Sequence, residues 1–137
     1  MARKLPRGPL GDFLKGYAKG LSPAELRVER DVHGINAGIT SYTTPAQAGA
    51  LADVLGLRPG VSLLDVGAGA GWPGVYLAER TGCRVMLADV PVDGLRTAAA
   101  RAAAQGVFQT CTFVAASGTH LPFRARSFDA VVHTDVL

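Results

Sequence analysis

The stretch Leu63-Leu64-Asp65-Val66-Gly67-Ala68-Gly69-Ala70-Gly71-Trp72-Pro73-Gly74 decides how the rest of the chain is read. With Val61 it opens as a short apolar run, which predicts a strand over Val61–Val66. Glycines at 67, 69 and 71 let the backbone turn sharply and let a ligand approach closely. Pro73 suits the first position of a helix, whose unpaired amides and positive dipole end would face the turn. Alone, such a turn is weak evidence, because a tight connection without a ligand has the same composition.

Outward from this stretch, the pattern repeats. Cys83–Ala88 reads as a second strand ending at Asp89, Cys111–Ala116 as a third, and Ala130–Thr134 as a fourth. Between the second and third runs an alanine-rich helix, with Val92, Leu95, Ala99, Ala102 and Ala103 on one face, stops at Gly106. Upstream, Ser22-Pro23-Ala24-Glu25 has the order of a capping box, predicting a helix from Pro23 to about Val32. Pro45 opens another helix, with Ala48, Leu51, Ala52 and Leu55 on one face and Gly56 at its end. Apolar strands alternating with helices predict an α/β fold built of parallel β-α-β units, a partial Rossmann-like doubly wound sheet of four strands preceded by helices. Residues 1–44 read as a leader and helical segment, with at most a helical turn around Asp12–Lys19. Residues 45–137 read as the sheet-bearing domain.

Bulk properties narrow the function. The 137 residues are 48% hydrophobic and 18% charged, enough for a core that removes about 68% of the unfolded surface from water. The net charge of +3 is concentrated in residues 1–30, where Arg3, Lys4, Arg7, Lys15, Lys19, Arg27 and Arg30 face Asp12, Glu25 and Glu29. Such an arm is usually solvated, and without basic residues interleaved with aromatics no nucleic-acid partner is expected. Two uncharged windows, Val32–Ala52 and Ala102–Phe123, are too polar for a membrane span. No apolar block follows the basic residues of Met1–Leu10 as in a secretory signal, so the expected location is cytoplasmic. Cys83 and Cys111 are too few for a disulfide scaffold. Each lies six residues before a strand end, at Asp89 and Ser117, so they are expected as neighbouring reduced thiols in the core. His33, His120 and His133 lack metal-ligand spacing, and no metal site is expected.

Two ligands compete for the glycine turn. Gly69-x-Gly71-x-x-Gly74, with Asp89 about 20 residues on, has the form of a dinucleotide fingerprint, which would suit an NAD-dependent oxidoreductase. The frame is awkward: Gly67 directly follows the strand, and counting from it puts Trp72 where the third glycine belongs. Asp65 weighs further. A carboxylate at the strand end repels a pyrophosphate by about 1–4 kcal/mol at a few ångströms and attracts an ammonium or sulfonium.

Asp65-x-Gly67-x-Gly69-x-Gly71 resembles the first motif of class I S-adenosylmethionine-dependent methyltransferases. The resemblance implies that Asp65, Gly67, Ala68, Gly69 and Gly71 hold the methionine end of S-adenosyl-L-methionine. It further implies that Asp89 accepts the ribose hydroxyls and that Val90 lies against adenine. Trp72 and Pro73 depart from the small residues usual there; Trp72 walls the pocket or is a packed aromatic. Leu121-Pro122-Phe123 and Phe128-Asp129 resemble the small-molecule quinone and sterol branch of the family, often called type 11. That branch has Asp where this chain has Ser117, so adenine recognition falls to an uncharged hydroxyl or to Gly118 and Thr119. Ser41-Tyr42-Thr43-Thr44 matches a region that related enzymes use over the cofactor, or simply caps the next helix. His133 and Asp135, at the mouth of the fourth strand, are candidates for assisting proton removal.

The resemblance also implies seven strands in the order 3-2-1-4-5-7-6, so this chain is expected to hold the first four and to be truncated. An uncovered fourth strand through Ala130, Val131 and Val132 would then invite a homodimer or partner chain. The leading expectation is a methyltransferase acting on a small-molecule acceptor. A non-catalytic cofactor-binding fragment or interaction module, and the oxidoreductase, stay as alternatives.

Overall fold

A computed structural model of the chain describes residues 21–134 together with residues 8, 9, 12, 15 and 16. The turn around Asp12–Lys19 falls largely outside these residues, as do Arg3, Lys4, Arg7, Lys19, Asp135, Val136 and Leu137. Helix α1 spans Pro23–His33 and α2 spans Pro45–Val54. Strand β1 (Ser62–Val66), α3 (Gly74–Thr81), β2 (Arg84–Asp89) and α4 (Val92–Ala104) follow. A short 3-10 turn at Phe108–Thr110 leads into β3 (Cys111–Ala115), and β4 covers Ala130–Val132.

The four strands form one parallel sheet in the order β3-β2-β1-β4, the arrangement expected of the first four strands of a Rossmann-like fold. Parity along each strand decides what meets the helices. Leu63 pairs with Val85 and Ala130, and Val85 with Cys111, while Asp65 pairs with Leu87 and Val132. Leu63, Val85, Leu87, Cys111, Ala130 and Val132 therefore share one face, and they join Val75, Leu77, Leu95, Ala98 and Ala102 in a single core. Ala37, Ala48, Ala52 and Trp72 belong to the same core, so α2 and the loop after α1 pack on the body of the fold. Among the described residues no helix is long and apolar enough to cross a membrane.

Both N-terminal helices start as the sequence predicts. Ser22 and Glu25 form a reciprocal capping box on α1, and Thr44 and Gln47 form another on α2. Thr44 thus has the capping role open to the 41–44 segment. The alanine-rich helix is rotated from its expected phase: Ala98 is fully buried, whereas Val92 is 48% exposed and Ala103 faces solvent. Alanines at 98–100 and 102–104 give almost no periodicity, so packing on the sheet sets the rotation.

β4 is held at its start by Asp129, whose Oδ2 accepts from the Ser62 N–H and Oγ, both at 2.8 Å. These bonds hold the Asp129 carboxyl below its usual range. The preceding loop is pinned by an edge-to-face contact of Phe123 and Phe128, with ring centroids 5.0 Å apart. Cys83 and Cys111 are free, buried and close at the N-terminal ends of β2 and β3, where burial pushes both thiols up.

Candidate functional site

The turn after β1 is built from hydrogen bonds it makes with its own chain. The amides of Gly67 and Ala68 donate to the Ala88 carbonyl, and that of Gly71 to Ala68. Gly69 N–H donates to Asp89 Oδ2 at 2.7 Å, binding the turn to the end of β2. Gly74 N–H donates to Asp65 Oδ2 at 3.0 Å, and Val75 N–H to the Gly71 carbonyl. A phosphate cradle needs free N–H groups, and here those amides are already engaged. The Asp89 carboxylate adds negative charge beside the turn.

Gly67, Asp89, Val90, Ser117, Gly118 and Thr119 come together as the lining of one cavity of about 450 Å³, with Val66, Ala116 and His133. That volume lies within the ordinary range for small-molecule sites. Asp89 is the hub of its wall: Oδ1 accepts from Val90 N–H at 2.7 Å while Oδ2 holds Gly69. Each carboxylate oxygen retains a second lone pair for a ligand hydroxyl. Opposite, the Ser117 carbonyl accepts from His120 N–H at 2.9 Å and closes a tight turn, and Gly118 lies against Val66. His133 brings an imidazole to the end of β4; Asp135, paired with it in the sequence reading, lies outside the described residues.

Asp65, Ala68, Gly69 and Gly71 do not line this cavity. Ala68, Gly69 and Gly71 are buried, and the Asp65 carboxylate, expected at the open tip of the strand, lies beneath the turn at 1% exposure. The reason is parity: Asp65 shares the helix-facing side with Leu63, while Val66 points the other way to the cavity. Burial raises its pKa to about 7, the Gly74 N–H opposes this, and the charge of Asp89 adds to it. Its Oδ1 is buried without a hydrogen-bond partner. Gly74 makes room for this carboxylate, since a Cβ there would sit 2.5 Å from Asp65 Oδ2. The third glycine of the quoted fingerprint is thus a steric requirement of Asp65 packed beneath the helix.

Trp72 is a packed aromatic with a second task. It is buried, lies 5.1 Å from Tyr76 between ring centroids, and donates through Nε1 to the Thr43 carbonyl at 3.0 Å. This ties the 41–44 segment to the glycine turn. Trp72→Phe keeps a ring against Tyr76 and removes the donor; the expected loss is about 1 kcal/mol in a urea unfolding titration. An unchanged midpoint would show that the indole bond contributes nothing.

Glu29 gave no sequence signal. On α1 it is 6% exposed, and its Oε1 accepts from the amides of Ala37 and Ile39 at 3.2 and 2.6 Å. It shapes the loop that carries Ala37 onto the core. Only the tertiary packing of α1 distinguishes it from a solvated helix acid.

Residues 63–137 match the family described as a methyltransferase domain. Over 77 residues the chain is 36% identical to methyltransferase GfsG of Streptomyces halstedii, covering 56% of this chain and 28% of that protein. Over 81 residues it is 33% identical to sterol 24-C-methyltransferase ERG6B of Gibberella zeae, covering 59% and 21%. The chain therefore spans about a quarter of the length of these curated relatives. Among solved structures it resembles a methyltransferase from Thiobacillus denitrificans in complex with S-adenosyl-L-homocysteine, with a TM-score of 0.60. That match has 22% identity, covers 84% of this chain and 44% of the other, and shows the fold alone. Geranyl diphosphate C-methyltransferase from Streptomyces coelicolor A3(2), in complex with Mg2+, geranyl diphosphate and S-adenosyl-L-homocysteine, gives 0.58 at 26% identity, covering 64% and 33%.

Proposed function

The chain belongs to the methyltransferase domain family, and on that premise we propose that its cavity holds S-adenosyl-L-methionine for methyl transfer to a small-molecule acceptor. The observation that carries the reading is the glycine turn whose Gly67, Ala68, Gly69 and Gly71 amides are engaged within the chain and beside which the Asp89 carboxylate stands. Such a turn favours a cationic ligand over a phosphate. The residues present fit this cofactor. Asp89 has lone pairs left for two ribose hydroxyls, Val90 offers an apolar surface to adenine, and Ser117, Gly118 and Thr119 supply polar groups at the base edge. On the methionine side Gly67 faces the cavity, and Ala68, Gly69, Gly71 and the Asp65 carboxyl lie behind it and hold the turn in shape.

When bound, S-adenosyl-L-methionine supplies a methyl group on a positively charged sulfur. The chain's contribution is to fix that group's position, from which most of the rate of an in-line transfer derives. His133, on the cavity lining, is our candidate for taking a proton from an acceptor hydroxyl or amine. The small-molecule acceptor is supported by relatives and neighbours whose names specify a sterol and geranyl diphosphate.

Thermal unfolding with S-adenosyl-L-homocysteine or NAD tests the reading. The homocysteine derivative is expected to raise the transition temperature and NAD to leave it unchanged, because a ligand that binds only the folded state stabilises it. A rise with NAD alone would turn the assignment to an oxidoreductase. No rise with either would favour a non-catalytic interaction module.

A further inference from the structure

Three polar side chains continue one wall of the cavity as a chain of hydrogen bonds. Ser117 Oγ and Thr119 Oγ1 are 2.8 Å apart, and Thr119 Oγ1 and His120 Nδ1 are 2.9 Å apart. The Thr119 backbone N–H donates to Ser117 Oγ at 3.3 Å. Ser117 and Thr119 line the cavity, while His120 stands outside its lining and is exposed.

Each hydroxyl has one proton and two lone pairs, so the direction of the chain follows from its end. A neutral imidazole with Nδ1 unprotonated accepts from the Thr119 hydroxyl, which in turn accepts from the Ser117 hydroxyl. Ser117 then has one lone pair engaged by the Thr119 amide and one open to the cavity, so it presents an acceptor. An imidazolium must donate through Nδ1. The Thr119 proton then turns to Ser117, both Ser117 lone pairs are engaged, and its own proton turns outward as a donor.

We infer that His120, acting through Thr119, sets the hydrogen-bond polarity of Ser117 and so decides which purine 6-substituent this wall accepts. Neutral His120 with its proton on Nε2 makes Ser117 an acceptor for the 6-amino group of adenine; charged His120 makes it a donor, suited to a 6-keto group. The inference rests on the cofactor reading above, with adenine at Ser117. His120 is a positioning residue that does not touch the base. The other titratable groups on this cavity are Asp89 at the end of β2 and His133 after β4, and Arg124 and Arg126 lie on the same loop as His120. Histidine is the side chain that changes charge between about pH 5 and 8, so the test must separate His120 from His133.

Affinities of the 137-residue chain for S-adenosyl-L-homocysteine and for S-inosyl-L-homocysteine, its 6-keto counterpart, are measured by calorimetry at about pH 7.5 and pH 5.5. Effects on the shared ribose and homocysteine parts cancel in the ratio of the two. Acidification is expected to reduce the preference for the adenosyl ligand about three- to tenfold. The reduction should vanish in His120→Ala and in Thr119→Val and persist in His133→Ala. A ratio that responds to pH equally in His120→Ala, or one that loses its response only in His133→Ala, overturns the inference. Failure of the wild-type chain to bind either ligand overturns the cofactor reading itself, and the inference with it.

Discussion

Replacing Asp65 by asparagine is expected to flatten the dependence of folding stability on pH between about 4 and 7 and to stabilise the ligand-free chain above that range. In the unfolded chain this carboxyl ionises near 3.8; in the folded protein its pKa is raised to about 7, first by burial and then by Asp89, against the Gly74 N–H. Between those values the folded form keeps a proton that the unfolded form has released. Stability from this group is therefore full below about pH 4, falls as pH rises, and is lost above about 7. A gap of about three units corresponds to roughly 4 kcal/mol. Asparagine cannot ionise, and its amide oxygen can still accept from Gly74. It places an NH2 where Oδ1 has no partner, which costs about 1–3 kcal/mol. The net gain at about pH 8 is then roughly 1–3 kcal/mol. Urea unfolding of both proteins across this range reads the effect as a difference, so contributions common to both drop out. An identical slope in the variant would show that Asp65 is already ionised when folded. Weaker binding of S-adenosyl-L-homocysteine by the more stable variant would tie the buried charge to the ligand.

Asp89→Ala is expected to weaken binding of S-adenosyl-L-homocysteine about 10- to 100-fold, roughly 1–3 kcal/mol. The carboxylate has two tasks. It fixes the geometry of the turn through Gly69 N–H and Val90 N–H, and in the proposed complex it accepts the two ribose hydroxyls. Alanine removes both. Asp89→Asn retains one acceptor oxygen and should fall between the two proteins. Calorimetric titration checks the series, and an affinity unchanged in Asp89→Ala would remove this residue from the site.

The sheet was legible because each strand reads as a short apolar run bounded by a turn residue. The helix starts were legible because capping is local: Ser22 with Glu25 fixes one end within a few residues. The rotation of α4 was not, because an alanine-rich stretch carries no amphipathic signal. At the site, the cavity residues Gly67, Asp89, Val90, Ser117, Gly118 and Thr119 all lie at strand ends or in the turns just after them, where sequence order and spatial position coincide. Asp65 has the same sequence signature as an exposed strand-end acid, and its orientation depends on which side of the sheet carries the helices.

The sequence alone determined the β-α-β frame, the glycine turn and the acid at the end of the second strand, since these follow from backbone propensity and from which residues permit a sharp turn. Tertiary structure alone decided the partners of the buried charges: Gly74 for Asp65, and the Ala37 and Ile39 amides for Glu29. A carboxylate's energy depends on solvent exclusion and on donors brought from distant parts of the chain, and neither exists until the helices have packed on the sheet.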